Sequence, residues 1–151
     1  MHSFVLEGFG TYRGGTTVTT ITQSEHGWLD LSGYQDVTAW IDVREVTLGG
    51  ATSLQWNIQT APIRDEYLFV TMESSPLTAT AALTAPSVRK IILAQCANGA
   101  TAPFPLGRFL RWQLVVNGTP TASWDATFRI VVCANPLGMV PTGASGPART
   151  R

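Results

Sequence analysis

Residues 109–132, "FLRWQLVVNGTPTASWDATFRIVV", contain the two most regular strand patterns of the chain, one on each side of a turn signal. Apolar residues occupy the even positions before the turn, and they occupy even positions again from Trp124 onward. Alternation with a period of two residues predicts two half-buried β-strands. The dipeptide Asn117-Gly118 between them is typical of a tight two-residue hairpin.

The parity of the two apolar faces argues against that tight hairpin. A two-residue loop would pair each core residue of one strand with a polar residue of the other, which turns one apolar face towards solvent. A seven-residue loop, 117–123, keeps the faces together and pairs Val116 with Trp124 and Trp112 with Phe128. The sequence therefore predicts two paired strands joined by a long loop.

The same alternation recurs along the chain. In residues 36–46, four apolar residues share one face, while Trp40 and Arg44 lie on the other face among polar residues. Further strands are predicted at 16–23, 28–32, 53–60, 88–96, 108–116 and 124–133. Residues 65–72 are apolar on both faces, as in a central or an interface strand, and are predicted as a strand on that ground. Residues 48–51 are typical of a hairpin connection, and 74–87 are expected to form a loop or an irregular edge.

About eight strands without helical periodicity predict an all-β fold, a single-domain antiparallel β-sandwich that is jelly-roll-like. The sandwich domain is expected to span residues 16–133. Residues 1–15 mix aromatic and aliphatic side chains with glycines, which indicates an extended N-terminal arm that docks on another surface. Residues 134–151 are rich in Pro and Gly and are expected to form an irregular, extended C-terminal tail.

The composition excludes several classes of function. The chain of 151 residues carries ten basic and ten acidic residues, so it has no formal net charge. A nucleic-acid-binding protein or a polybasic membrane protein depends on a positive field that this chain lacks. No apolar run is long enough for a signal peptide or a membrane span. We therefore expect neither nucleic acid nor membrane among its partners.

The chemically reactive residues form no known catalytic or metal-binding pattern. A nucleophile elbow, a P-loop and a His-Glu-x-x-His pattern are all missing from the sequence. Cys96 and Cys133 make no Cys-x-x-Cys clip, and two free thiols are favoured over one bridge. Asp65 and Glu66 are consecutive, so a strand would point them to opposite faces. We expect no enzymatic activity, no cofactor and no metal.

The aromatic residues divide into core and surface positions. Apolar-face positions predict a core role, rather than a sugar-binding platform, for Trp56, Trp112, Trp124 and Phe128. Trp40 lies on a polar face, which indicates either contact with a partner or ligand or packing beneath the arm or a loop. The candidate residues for a partner interface are Phe4, Leu6, Phe9, Tyr12, Trp40 and Arg44.

Arg111 and Arg129 are expected to point outward from adjacent strands, with Asp125 close enough for a surface ion pair. Such a pair contributes little to stability.

Four segments carry a family resemblance: "LSGYQDVTAWIDV" (31–43), "SLQWNIQTAPIRDEYLFVTM" (53–72), "GRFLRWQLVV" (107–116) and "ATFRIVV" (126–132). In this order they resemble small β-sandwich structural proteins of tailed bacteriophages and related particles, namely capsid decoration (cement) proteins and head-fibre proteins. The likeness covers residues 28–133 and carries over no catalytic or ligand-binding residue.

The resemblance implies a jelly-roll-like domain that binds a shell lattice, typically as a trimer, with terminal arms that grip neighbouring subunits. We therefore expect a virion protein that binds the major capsid protein or other virion subunits and stabilises the shell by bridging them. It would be made in the host cytoplasm without a signal peptide. The alternatives are a carbohydrate- or receptor-binding β-sandwich module and a tail or neck component.

Overall fold

A computed structural model of the chain describes residues 1–78, 87–94 and 106–137. Its strands are β1 (His2–Gly14), β2 (Thr20–Thr22), β3 (Leu29–Asp30), β4 (Tyr34–Thr47), β5 (Ser53–Ala61), β6 (Val70–Thr78), β7 (Ser87–Ala94), β8 (Phe109–Asn117) and β9 (Trp124–Pro136). Two short 3₁₀ turns, Glu25–Gly27 and Glu66–Leu68, lie between strands. Within these ranges the chain has no α-helix.

The strands form two antiparallel sheets. Sheet A has the order β1-β9-β4-β7, and sheet B has the order β2-β8-β5-β6, with β3 also paired to β8. The chain is thus folded back on itself in four pairs, β1·β9, β2·β8, β4·β7 and β5·β6, which alternate between the sheets. This wrapping of one long antiparallel ribbon is a jelly roll. The predicted all-β, jelly-roll-like sandwich is confirmed.

The pairing predicted for residues 109–132 is wrong, because β8 and β9 lie in different sheets. Val116 pairs with Leu54 of β5, and the rings of Trp112 and Phe128 meet across the core at 5.3 Å. The even positions of both strands do point into one core, as predicted. Two strands that face each other from different sheets meet this requirement just as well as two neighbours in one sheet. The residues after Asn117 therefore form a crossing between sheets.

The connection from β4 to β5 also crosses between the sheets, so the hairpin expected at residues 48–51 is wrong. The backbone does turn tightly there, since the Ala51 N–H donates to the Leu48 carbonyl at 3.0 Å. The Gly49 carbonyl then accepts hydrogen bonds from the N–H groups of Thr121 and Ala122, each at 2.9 Å. The two sheet crossings are therefore fastened to each other at one end of the sandwich.

The core fills the space between the sheets. The tryptophan and phenylalanine residues expected there are fully buried, as are the apolar residues of β4 and β5: Val37, Ala39, Ile41, Val43, Leu54, Trp56, Ile58, Trp112, Trp124 and Phe128. The indole N–H groups of Trp112 and Trp124 donate to Glu7 Oε2 and to the Val18 carbonyl, each at 2.9 Å. These bonds satisfy polar atoms whose burial would otherwise cost about 1–3 kcal/mol each.

The segment expected as an N-terminal arm is strand β1, which pairs with β9 of the same chain from His2 to Gly14. Leu6 is buried, and its carbonyl accepts a hydrogen bond from the Gln23 side chain at 2.7 Å. The strand therefore completes this sandwich. That it also contacts a neighbouring subunit stays a prediction.

Several strand boundaries differ from expectation. The pattern at 65–72 is not one strand: Glu66–Leu68 form a 3₁₀ turn, capped by the Asp65 carboxylate that accepts from the Tyr67 N–H at 3.0 Å. The weak strands at 16–23 and 28–32 shorten to β2 and β3, whereas β9 continues to Pro136.

The segment predicted as a loop at 74–87 belongs to β6 as far as Thr78. Cys133 is a free thiol, whereas Cys96, residues 97–105 and the segment 138–151 that is expected to form a tail lie outside the described residues.

Candidate functional site

Three of the predicted interface residues meet on the outer face of sheet A. Phe9 is 51% exposed, Trp40 is 38% exposed, and Arg44 lies on the same side of β4. The strand register places Val131 between Trp40 and the exposed Val5, so an apolar row crosses three strands. We call this surface, defined by Val5, Phe9, Trp40, Arg44, Arg129 and Val131, the A face.

An ion cluster lies beside the apolar row. The side chain of Asp42 is only 8% exposed although it belongs to an outer sheet face. Its Oδ2 accepts from Arg44 Nη2 at 2.9 Å and from Arg129 Nε at 3.0 Å. The Phe9 ring covers both guanidinium groups, with its centroid 5.3 Å from Arg44 Cζ and 4.7 Å from Arg129 Cζ. Two arginines share one carboxylate, so the cluster carries a net positive charge.

Two β-bulges present this cluster. Arg44 is the extra residue of β4, because Val43 pairs with Phe128 and Glu45 pairs with the next residue, Thr127. A second irregularity in β1, between Glu7 and Gly10, places Phe9 over the cluster. Bulges re-aim side chains and are frequent beside functional sites.

The sequence predicted Phe9, Trp40 and Arg44 of the A face as interface residues, but not the ion pairs beside them. The ion pair expected among Arg111, Arg129 and Asp125 is wrong, since Arg129 binds Asp42 while Arg111 lies in sheet B. The alternation that places Asp42 on the outer face was visible in the sequence. The burial of Asp42 depends on side chains of β1 and β9. The local sequence around Asp42 does not predict that these two strands lie beside β4.

The other three candidate residues point inward. Leu6 belongs to the core, Phe4 packs edge-on against Tyr34 at 5.5 Å, and Tyr12 lies 4.9 Å from the Trp112 ring. Burial, together with a hydrogen bond and the charge of Glu7, raises the pKa of Tyr12. Positions 4, 6 and 12 share parity, and that signal of a half-buried strand was present in the sequence.

A second surface was not foreseen from the sequence. Arg111 is buried on the outer side of sheet B, where its Nε donates to Gln59 Oε1 at 2.8 Å and its Cζ lies 4.0 Å from the Phe69 ring centroid. Burial lowers the pKa of Arg111, and Glu66 opposes this from 3.6 Å. Phe69 follows the 3₁₀ turn Glu66–Leu68, which lies within the segment predicted as a strand because both of its faces are apolar.

Beside this turn lies an open apolar cleft of about 500 Å³, lined by Thr60, Pro62, Leu68, Val70, Leu106, Gly107 and Arg108. The hydroxyl of Thr60 already donates to the Phe109 carbonyl and accepts from the Gly107 N–H, so the cleft offers mainly apolar contact.

Across residues 1–78, 87–94 and 106–137, no group of three His, Cys, Asp or Glu side chains is placed to hold a metal ion. No helix in the described part of the chain is long and apolar enough to cross a membrane.

No family model and no curated protein matches the chain. Solved structures do match. The VP2 subviral particle of infectious bursal disease virus gives a TM-score of 0.51 at 13% identity, covering 93% of this chain and 33% of VP2. The Gt strain of the same virus gives 0.52 at 14% identity, with 93% and 34% covered.

This chain therefore spans about a third of the proteins it matches, and it has a viral capsid-like β-sandwich fold. The matched structures come from an animal virus, whereas the sequence resemblance pointed to tailed bacteriophages.

Proposed function

We propose that this chain is a structural protein of a virus particle, located in the virion, and that it binds other virion subunits through the A face. The observation that carries the proposal is the exposure of Phe9 and Trp40 on one sheet face next to an uncompensated arginine. Aromatic residues and arginine are enriched at protein interfaces, where they supply most of the binding energy. The likeness to VP2 of a subviral particle supports the same class of role.

The finer proposal is a decoration, or cement, role in which the protein bridges subunits of the outer shell. The low charge of the chain supports it, because only 13% of residues are charged and repulsion from a lattice is weak. Under this proposal the partner is the major capsid protein or another virion subunit. The chain would act as a homo-oligomer, with a trimer favoured by the resemblance, and would be made in the host cytoplasm.

The arginines around Asp42 indicate which chemical groups a partner surface must carry. Asp42 neutralises one of its two arginines, so a partner carboxylate that meets Arg44 or Arg129 gains a charge-assisted hydrogen bond. The neighbouring row from Val5 to Trp40 requires an apolar contact. The partner surface is thus expected to present a carboxylate beside aliphatic or aromatic side chains.

Co-sedimentation with intact particles tests the proposal. Particles are purified from a culture that expresses the chain, stripped of it and incubated with the recombinant protein. We expect the wild type to pellet with the particles and the double variant Phe9→Ser/Trp40→Ser to stay in the supernatant. Val18→Ser is the matched control, because Val18 is exposed but precedes β2 in sheet B. A wild-type protein that never pellets contradicts the proposal.

The same preparation separates the alternatives. Particle imaging with an antibody against the chain distinguishes a shell position from a tail or neck position. Binding to a glycan array that is lost in Trp40→Ala, without any binding to particles, would instead assign a carbohydrate-binding module.

A further inference from the structure

The end of the sandwich next to the cleft carries an exposed aromatic residue. Tyr67 is 96% exposed at the centre of the Glu66–Leu68 turn. Around it, three more large apolar residues face solvent: Ile63, Leu68 and Val70. Clustered exposed apolar side chains on a soluble protein mark an interaction surface.

The protruding Tyr67 and the cleft are immediate neighbours. Leu68 follows Tyr67 in the chain and lines the cleft, and Val70 forms part of the same wall. A protrusion and a recess of matching apolar character therefore share one patch. If two copies are related by a two-fold axis through this patch, the protrusion of each copy meets the recess of the other. The same contact then occurs twice, as in every isologous interface.

We propose that a second copy of this chain binds at this end of the sandwich, about a two-fold axis, with Tyr67 of each copy inserted into the cleft of the other. This contact lies at an end of the sandwich and leaves the A face uncovered. It gives a dimer, whereas the resemblance implies a trimer, and it goes beyond the proposed virion role without depending on it.

Charge complementarity supports a second copy as the occupant. Two acidic residues, Asp65 and Glu66, immediately precede Tyr67, and the side chain of Glu66 is 70% exposed. The cleft is bordered by Arg108, whose side chain is 55% exposed and which binds Asp30 at 2.8 Å. Insertion of Tyr67 carries the acidic pair of one copy towards the half-exposed guanidinium of Arg108 of the other, which lies beside Asp30.

The protrusion is held in place before it binds. The Asp65 carboxylate accepts from the Tyr67 N–H, and Arg64 binds Glu25 at 3.0 Å. Behind the turn, Phe69 packs on Trp28 at 4.6 Å. A preorganised loop loses less conformational entropy on binding, which favours association.

Sedimentation velocity over a dilution series of the full chain tests the contact. We expect a reversible dimer for the wild type and a dissociation constant roughly 30-fold higher for Tyr67→Ser, equivalent to a loss of about 1 kcal/mol at each of the two symmetry-related contacts. Val18→Ser is the control, since it removes an exposed apolar side chain that precedes β2, away from the Glu66–Leu68 turn, and leaves the dimer unchanged.

A mixing experiment checks that Tyr67 meets the cleft itself. Val70→Asp places a charge in the cleft wall, next to the acidic pair of the other copy, and weakens the homodimer. A mixture of Tyr67→Ser and Val70→Asp chains forms a heterodimer with one intact contact, which associates more tightly than either homodimer. Circular dichroism and thermal unfolding of each variant establish that both are folded.

Three outcomes overturn the proposal: a wild type that stays monomeric at millimolar concentration, a dimer that Tyr67→Ser does not weaken, or a Tyr67-dependent trimer, which excludes the two-fold axis. A dimer that fails to bind particles supports this contact and overturns the proposed function instead.

Discussion

Asp42 is a buried carboxylate at a strand position that alternation assigns to the solvent-facing side. It lies on the solvent side of β4, yet Arg44, Arg129 and the ring of Phe9 bury it. A buried carboxylate is stable only when it is paired and hydrogen-bonded. Here Oδ2 accepts two hydrogen bonds, while Oδ1 is held by the ion pair with Arg44 Nε at 2.9 Å.

Replacing Asp42 tests how strongly the cluster stabilises the fold. We expect Asp42→Asn to lower the free energy of unfolding by about 1–3 kcal/mol, because a neutral acceptor replaces a charged one between two guanidinium groups. Urea denaturation measures the change. Asp125→Asn, on the same face but without a partner among the ion pairs found in the described residues, is the control and should change stability by less than about 0.5 kcal/mol. Equal effects of the two variants would contradict this account.

Tyr12 makes stability depend on alkaline pH. Its pKa is raised in the folded state, chiefly by burial, so folding favours the neutral phenol. This contribution is complete below the ordinary tyrosine pKa of about 10 and is lost as the pH rises above it. Tyr12→Phe should therefore lower stability at neutral pH, through loss of the bond to Glu7, and flatten the decline above about pH 10. Urea midpoints from pH 7 to 11 measure both effects, with Tyr67→Phe as the exposed control.

At the scale of elements, the two sheet crossings at residues 48–52 and 118–123 determine how the sheets are held together. Gly49 has a φ of +57°, and a Cβ there would lie 2.5 Å from the Ala122 carbonyl oxygen. A side chain would therefore force the two crossings apart and break the hydrogen bonds that fasten them.

Glycine substitutions separate this packing from backbone strain. Gly33 also has a positive φ, +89°, but a Cβ there meets nothing within 4 Å. We expect Gly33→Ala to cost about 1 kcal/mol from the left-handed backbone alone and Gly49→Ala to cost at least about 2 kcal/mol more, since backbone atoms must move. Chemical denaturation of both variants measures the difference. Similar losses of unfolding free energy at the two positions would mean that the two crossings can move apart at little cost.

Element patterns also show what the sequence could predict. A period of two residues assigns each side chain to a face, and the core residues of β4, β5, β8 and β9 were correct for that reason. The same period says nothing about which strand is the neighbour, so β8 and β9 were paired when they face each other across the core. The A face was partly predictable, through Phe9, Trp40 and Arg44. The cleft was not, because a 3₁₀ turn and its contacts leave no periodic signal.

At the scale of the whole molecule, the first strand pairs with the last. Strand β1 supplies Leu6 to the core, Glu7 to the Trp112 indole and Tyr12 to the aromatic cluster, and it covers one edge of β9. The jelly roll therefore closes only when both ends of the described chain are in place.

Removing residues 1–15 tests this closure. We expect the truncated chain to lose its cooperative unfolding transition, because the core loses a wall and β9 loses one of its two neighbours. Far-UV circular dichroism and urea denaturation measure the effect. Val5→Ser, which alters the same strand at a side chain that is 69% exposed, should unfold like the wild type. A truncated chain that still unfolds cooperatively with wild-type stability would show that β1 is an accessory strand.

The pairing of His2 with Ala134 has a further consequence, since it brings the entrance and the exit of the described chain side by side. A short linker from residue 137 to residue 1 would turn β9 and β1 into a local hairpin, and new ends could open at the exposed residues 16 and 17. Because the two ends of the described chain are adjacent, the sandwich can be inserted into a surface loop of another protein. Such an insertion would not separate the strands of the host protein.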